Sequence, residues 1–345
     1  MKKDGIKWLR LLPLLVLAAG LVIIVKTGIR AMNAYDERHT IEHDKTDNNE
    51  LLYEPVPHWR KLDLGGYTVT PEQFGVIGGE EDSFPIFAEL KRQCGGTSGE
   101  EINDAMRSHY RSCWLGFWDT FTEEAQENDH TFNECHLLIT CELTDSFKKC
   151  AKDNNIEIEY EVIGYNDMVF FTHRDNPVDS LSSQQIRDIY GGKITNWKDV
   201  GGNDEEIAAY QRGESYTQNA MVRYVMGGTS LMAPKESYQK FRFRAPEAPV
   251  VGEYVNGTGS IGYTFGYFFD RLYDSEDIKL LKIDGAAPDE ENIRSGAYPF
   301  VIPYYAVTVN GDENDIWQVR DFLLGDGGQQ VIRMSGFCPA RECGE

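Results

Sequence analysis

Two short runs in the sequence carry residue types that could do chemistry together. In the first, Gln211-Arg212-Gly213-Glu214-Ser215-Tyr216-Thr217-Gln218-Asn219, a guanidinium precedes a cluster of hydroxyl and amide side chains. A helix that starts there offers unpaired backbone N–H groups and the positive end of its dipole. Ser215, Thr217 and Gln218 at such a start could cradle a tetrahedral oxyanion. Arg212, at the end of a preceding strand, could add a charge-assisted bidentate contact. By itself the run fits an ordinary capped surface helix with a solvated arginine more readily. The second run, Gly78-Gly79-Glu80-Glu81-Asp82-Ser83-Phe84-Pro85, sets Glu80, Glu81 and Ser83 before another helix start. Catalytic signatures are missing: there is no G-x-S-x-G turn, no H-E-x-x-H and no P-loop, and the carboxylates are too numerous to single out an acid–base pair. We read no enzyme and no cofactor.

The elements that must position these runs are short strands and helices in alternation. β-Branched or aromatic stretches such as "FGVIGG", "CHLLITC", "IEIEYEVIG" and "DMVFFTHRD" are interleaved with "PIFAELKRQC" and "TDSFKKCAKDNN". That pattern argues an α/β fold with mainly parallel sheets. "LSSQQIRDIYGG" opens on a capping serine and ends on glycines that can stop a helix. A strand "IAAYQR", a helix around "TQNAMVRYVM", strands at "GSIGYTF" and "PFVIPYYAVTV", and a final helix "DIWQVRDFLLGDGGQQVIRM" follow.

From Asp167 to Met221 the chain resembles the phosphate-binding proteins of ABC transporters. A strand leading into Asn176-Pro177-Val178, a capped helix, the turn Gly192-Lys193-Ile194-Thr195-Asn196-Trp197, and a strand ending in Arg212 before a hydroxyl-rich helix start carry the likeness. It continues through "GSIGYTFGYFF" and "GGQQVIRMSGFCPA", begins near "FGVIGGEEDSFPIFAEL", and is weak between Cys94 and Thr140. The resemblance implies a two-lobed periplasmic-binding-protein-like fold of type II with a ligand cleft between lobes. Lobe I would comprise 69–176 and 299–345, and lobe II 177–298. It further implies inorganic phosphate or another small anion as ligand, ABC permease subunits as partners, and a cleft lined by Arg212, Ser215, Thr217, Gln218, Glu80, Glu81 and Ser83.

The first half of that cleft departs from the family, whose Asp-Gly-Ser-Thr-like turn is replaced here by Glu80 and Glu81. A carboxylate about 5 Å from a bound phosphate costs on the order of 3 kcal/mol per charge pair at an effective dielectric near 20. Three readings stand side by side. The acids could pair with Arg212 and plug the site, accept a ligand that also carries an amine or guanidinium, or lie in water at a helix dipole. In the second half the family's Ser-Gly-Ser-like centre becomes Ser215-Tyr216-Thr217, which narrows backbone access. The aromatic span "RSHYRSCWLGFWDTF" reads as packing for an enlarged lobe in preference to a wall for an organic ligand.

Composition sets the outer bounds. With 345 residues, 41% hydrophobic and 12% aromatic, the chain can bury a substantial core. The first thirty residues hold six of the 34 basic and one of the 56 acidic side chains, so a net charge of −22 understates the acidity of the rest. Such a body is unsuited to a nucleic-acid backbone. The apolar run Leu11 to Val25 behind four basic residues reads as an export signal or anchor, and we expect an uncleaved membrane segment over 1–34 with the body extracytoplasmic. Residues 35–68 read as a polar spacer. Seven cysteines suit an exported chain, with Cys141–Cys150 and Cys338–Cys343 as plausible bridges. Cys135-His136 is a weak metal signal. His136 and His173 read as structural, and Asn256-Gly257-Thr258 as a turn.

Overall fold

The computed structural model describes residues 58–96, 101–102, 110, 113–121, 134–141, 143–211, 216–233, 256–272 and 277–343. The strands are β1 (Ile77–Gly79), β2 (Leu137–Thr140), β3 (Ile158–His173), β4 (Ser180–Leu181), β5 (Ala208–Ala209), β6 (Ser260–Phe265), β7 (Ile278–Leu280), β8 (Lys282–Ile283), β9 (Val301–Val309) and β10 (Cys338–Pro339). Eight of them form one sheet, with β1-β2-β9-β3-β6-β5 side by side and β10 and β7 also on β3, while β4 and β8 make a small parallel pair.

The two apolar runs expected to be separate strands are one. β3 is 16 residues long, and its first part, Ile158 to Asp167, pairs antiparallel with β9. Its second part, Met168 to Thr172, pairs antiparallel with β6. The change of partner falls between Asp167 and Met168, and we call the part on the β9 side of it lobe I and the part on the β6 side lobe II. Lobe I is built on β1, β2, β9 and β10, and lobe II on β5, β6 and β7. The sheet is mixed, contrary to the mainly parallel expectation. β1–β2 and β5–β6 are parallel, whereas the longer pairings of β9 with β2 and β3, and of β6 with β3, are antiparallel. Alternation of helix and strand cannot reveal this, because the antiparallel partners are joined by long-range returns.

Local signals hold where capping is explicit. The helix Ser183–Tyr190 carries a capping box in which Ser182 and Gln185 exchange hydrogen bonds. Thr144 caps the helix Asp145–Asp153. The expected single C-terminal helix is two, Trp317–Leu324 and Asp326–Met334, broken at Gly325 in an extended conformation. The elbow is tight: a Cβ on Gly328 would lie 2.1 Å from the Phe322 carbonyl oxygen.

The aromatic span packs, as read from the sequence. Phe117 and Trp118 are buried against Phe147, and Tyr110 packs on Phe84 and Phe87. His136 Nδ1 lies 2.6 Å from Asp312 Oδ2, a structural role, and Asn256 is buried in a turn with its Nδ2 on the Asp277 carbonyl. The bridges Cys141–Cys150 and Cys338–Cys343 are not formed. Six described cysteines form no disulfide, and burial pushes the thiols of Cys94 and Cys338 up to about 12. Among the described residues no group of His, Cys, Asp and Glu could hold a metal ion, and no helix is long and apolar enough to cross a membrane. The segment 1–34 lies outside the described residues.

The expected spacer ends inside the lobe. From residue 58 onward the chain straps across the helix Phe84–Leu90 and the π-helical turn after it, fastened by a fully buried carboxylate. Glu89 accepts from Trp59 Nε1 at 2.7 Å, Gln93 Nε2 at 2.8 Å and Arg92 Nη1 at 3.0 Å. Gln93 in turn bonds Leu62 N and Arg60 O, and Tyr67 stacks on Phe322 at 3.8 Å. Removing the carboxylate leaves buried donors unpaired, including a guanidinium. Glu89→Leu is expected to lower unfolding free energy by about 3 kcal/mol in urea titrations, and to shift Trp59 emission to the red as the strap loosens.

Candidate functional site

In lobe I, β1 and β2 run parallel in register from Ile77↔Leu137 to Gly79↔Ile139, so their carboxyl ends emerge side by side. Each leads into a helix N-terminus, at Phe84 and Asp145. Ligands of open α/β sheets bind outside such carboxyl ends. The turn 80–83 folds back over Gly79 so closely that a Cβ there would meet Ile139 O at 2.2 Å, Ser83 Oγ at 2.4 Å and Tyr110 Oη at 2.5 Å. Glycine is required by that approach. Ser83 is fully buried, with its hydroxyl on Glu80 O and on Tyr110 Oη, both at 2.8 Å, so it closes the turn from within. Glu80 is half-buried on the lip, and the side chain of Glu81 lies outside the described part.

The same turn holds a buried carboxylate, Asp82, that the sequence reading passed over. Asp82 Oδ2 accepts from Tyr304 Oη at 2.7 Å and from Cys141 Sγ at 3.3 Å. Tyr304, on β9, has no exposed surface, and burial together with the nearby Asp82 charge drives its phenol well above the usual value. The thiol read as half of a disulfide thus belongs to a polar cluster that ties the end of β2 to the turn after β1.

In lobe II the matching edge is the carboxyl end of β5, which is parallel to β6. The chain proceeds through Gln211 to the helix Tyr216–Ala220 and a π-helical turn, Met221–Val225. Arg212 and Ser215 lie outside the described residues. Thr217 is buried in the first turn of the helix, and Gln218 Oε1 accepts from the Tyr263 hydroxyl. The segment is closed off at its base. Gln211 Nε2 donates to Met232 O at 2.8 Å, and Arg187 Nε donates to Val225 O at 2.7 Å.

The two edges face each other. Tyr224 Oη, in lobe II, donates to Cys141 O, at the end of β2 in lobe I, at 2.9 Å. This contact ties the π-helical turn that follows the helix Tyr216–Ala220 to the end of β2. Backbone N–H groups at such helix starts suit an anion.

The PBP superfamily domain model matches residues 137–332, more than half of the chain. The chain belongs to the PBP superfamily. The resemblance read from residues 167–221 is borne out, and the match begins at β2, at the end of the span in which the likeness was weak. The phosphate-binding protein PstS of Bacillus subtilis is 26% identical over 191 residues, 54% of this chain and 58% of that protein. PstS of Staphylococcus saprophyticus is 28% identical over 189 residues, 52% of this chain and 56% of that protein. The chain therefore spans less than two thirds of the length of these curated relatives. Among solved structures, an ABC-type phosphate transport receptor from Vibrio cholerae shares the fold with a TM-score of 0.50 and 20% identity, covering 76% of this chain and 98% of that one.

Asp82, Cys141, Tyr304 and Tyr224 left no trace in spacing, since they lie 59 to 222 residues apart in their contacts. Asp82 was nevertheless inside a run already singled out. The raised phenol of Tyr304 carries a pH signature. A group whose folded value is raised contributes stability below its unfolded value, near 10, and loses it as pH climbs above that. Denaturant midpoints should fall between pH 10 and 11 more steeply for the wild type than for Tyr304→Phe; parallel profiles would contradict the assignment.

Proposed function

We propose that this PBP-superfamily chain is an extracytoplasmic solute-binding protein that takes inorganic phosphate or a related tetrahedral oxyanion into its inter-lobe cleft and presents it to ABC permease subunits. The observation that carries the reading is the Tyr224–Cys141 contact, which ties the segment following β5 to the end of β2, beside the helix starts at Phe84 and Asp145. Support comes from the PstS relatives, which are named as phosphate-binding proteins. In this reading Arg212 supplies the charge-assisted contact, Ser215, Thr217 and Gln218 supply donors at the lobe II helix, and residues 1–34 tether the body to the membrane. Ser83 serves by shaping the lobe I turn, because its hydroxyl is already engaged.

The carboxylates of the lobe I turn favour a second reading, in which a membrane-tethered sensor or scaffold keeps the fold and has changed its ligand. Glu80 stands on the lip and Asp82 is buried behind it. An anion there meets negative charge on one side and helix termini on the other.

Isothermal titration with phosphate separates the two. Saturable one-to-one binding to the wild type, weakened at least tenfold by Arg212→Ala, is the expected result; an Arg contact to a charged group contributes about 2 kcal/mol. A silent wild type whose Glu80→Ser/Glu81→Thr double variant gains phosphate binding would establish the second reading instead. Silence in both would end the phosphate assignment.

A further inference from the structure

The contact between Tyr224 and Cys141 joins two lobes, and each partner is fixed inside its own. On the lobe II side, Tyr224 rides the π-helical turn Met221–Val225, whose wide closure is seen in the bond from Met226 N to Met221 O at 3.0 Å. The next residue is pinned from behind by Arg187 Nε on Val225 O at 2.7 Å. On the lobe I side, the accepting carbonyl belongs to a residue whose own thiol is held by Asp82, which Tyr304 holds in turn. Neither oxygen is on a free loop. Their separation of 2.9 Å is therefore set by the relative position of the lobes, which are linked through the partner change in β3.

We propose that the Tyr224 hydroxyl on the Cys141 carbonyl is a closure latch. It makes Tyr224 a positioning residue, which controls how long the cleft stays shut without touching what is inside. Opening the lobes about β3 draws the two oxygens beyond hydrogen-bonding range, so the bond exists only in the closed arrangement. One neutral hydrogen bond of about 1 kcal/mol biases that equilibrium roughly fivefold. The latch also explains why Cys141 is a thiol tied to Asp82 and not a flexible lip residue: the acceptor has to be held still for the bond to report lobe position. The proposal uses the cleft reading given above for its functional consequence, but the closure itself is testable without ligand.

Hydrogen exchange on the full-length, ligand-free chain provides the test, comparing wild type with Tyr224→Phe and with Tyr67→Phe, a hydroxyl that bonds within lobe I. The expected result is that peptides covering 80–83 and 139–145 in lobe I, as well as 221–228 in lobe II, exchange about fivefold faster in Tyr224→Phe. The β3–β9 pairing should be unchanged, and Tyr67→Phe should match the wild type at both lips. Tyr224→Leu, which also lacks the hydroxyl, should give the same lobe I pattern. Acceleration confined to 221–228 would show a local packing role and overturn the latch, as would no change at all. In stopped-flow dissociation with inorganic phosphate as probe, Tyr224→Phe should release it about fivefold faster. If phosphate does not bind, the function assignment fails while the exchange result still decides the latch.

Discussion

A single strand decides how this molecule is put together. β3 hydrogen-bonds along β9 as far as Asp167 and along β6 from Met168 onward, so one continuous backbone belongs to two sheets' worth of partners. Each lobe can bury its own side chains, yet neither can move except by bending that strand and the chain that returns alongside it. The register shift in the β3–β9 ladder between Val162 and Gly164 lies on the lobe I side of the change. There a Cβ on Gly164 would come within 2.7 Å of the Ile332 side chain and 3.1 Å of the Cys338 carbonyl. Close backbone approach at the base of the crossing gives the lobes a defined pivot.

From that pivot the chemistry follows by position. Parallel pairs β1–β2 and β5–β6 sit at the outer flanks of the sheet, and helices follow their carboxyl ends. The antiparallel strands between them contribute side chains from beneath, of which Tyr304 reaches the Asp82 carboxylate. A buried carboxylate is costly unless donors meet it, and here a phenol from within β9 and a thiol just past the end of β2 do so. The outcome is a lobe I lip that is rigid and acidic, facing a lobe II lip built from a helix start and a π-helical turn. Such asymmetry sets this chain apart from a simple pair of anion-binding helix termini.

Much of this was legible in the residues. Ser182 and Gln185 announced a capping box, glycines announced the end of the same helix, and the run from Asp167 to Met221 pointed to the fold. What the sequence could not show were relations set by tertiary distance. The fusion of two apolar runs into β3 depends on partners about 90 residues or more downstream, and the apparent break at Gly164-Tyr165-Asn166 is strand that pairs with β9 without a turn. Gly325 split the last helix because the chain must double back over Phe322, a packing demand without a periodic signature. The polar look of residues 58–68 suggested a linker, whereas Glu89 and Gln93 supply the buried partners that hold it down. Cys141 was read through its spacing to Cys150, while its real partner is a carboxylate 59 positions earlier.

The central claim is that ligand binds where the lips of the two lobes meet. Mapping amide exchange on the full-length chain with and without saturating phosphate tests it most directly. The account predicts protection concentrated in peptides spanning 80–83, 141–145 and 211–225, on both lobes at once, with the outer faces unaffected. Protection limited to one lobe, located away from those strand ends, or absent throughout would contradict it.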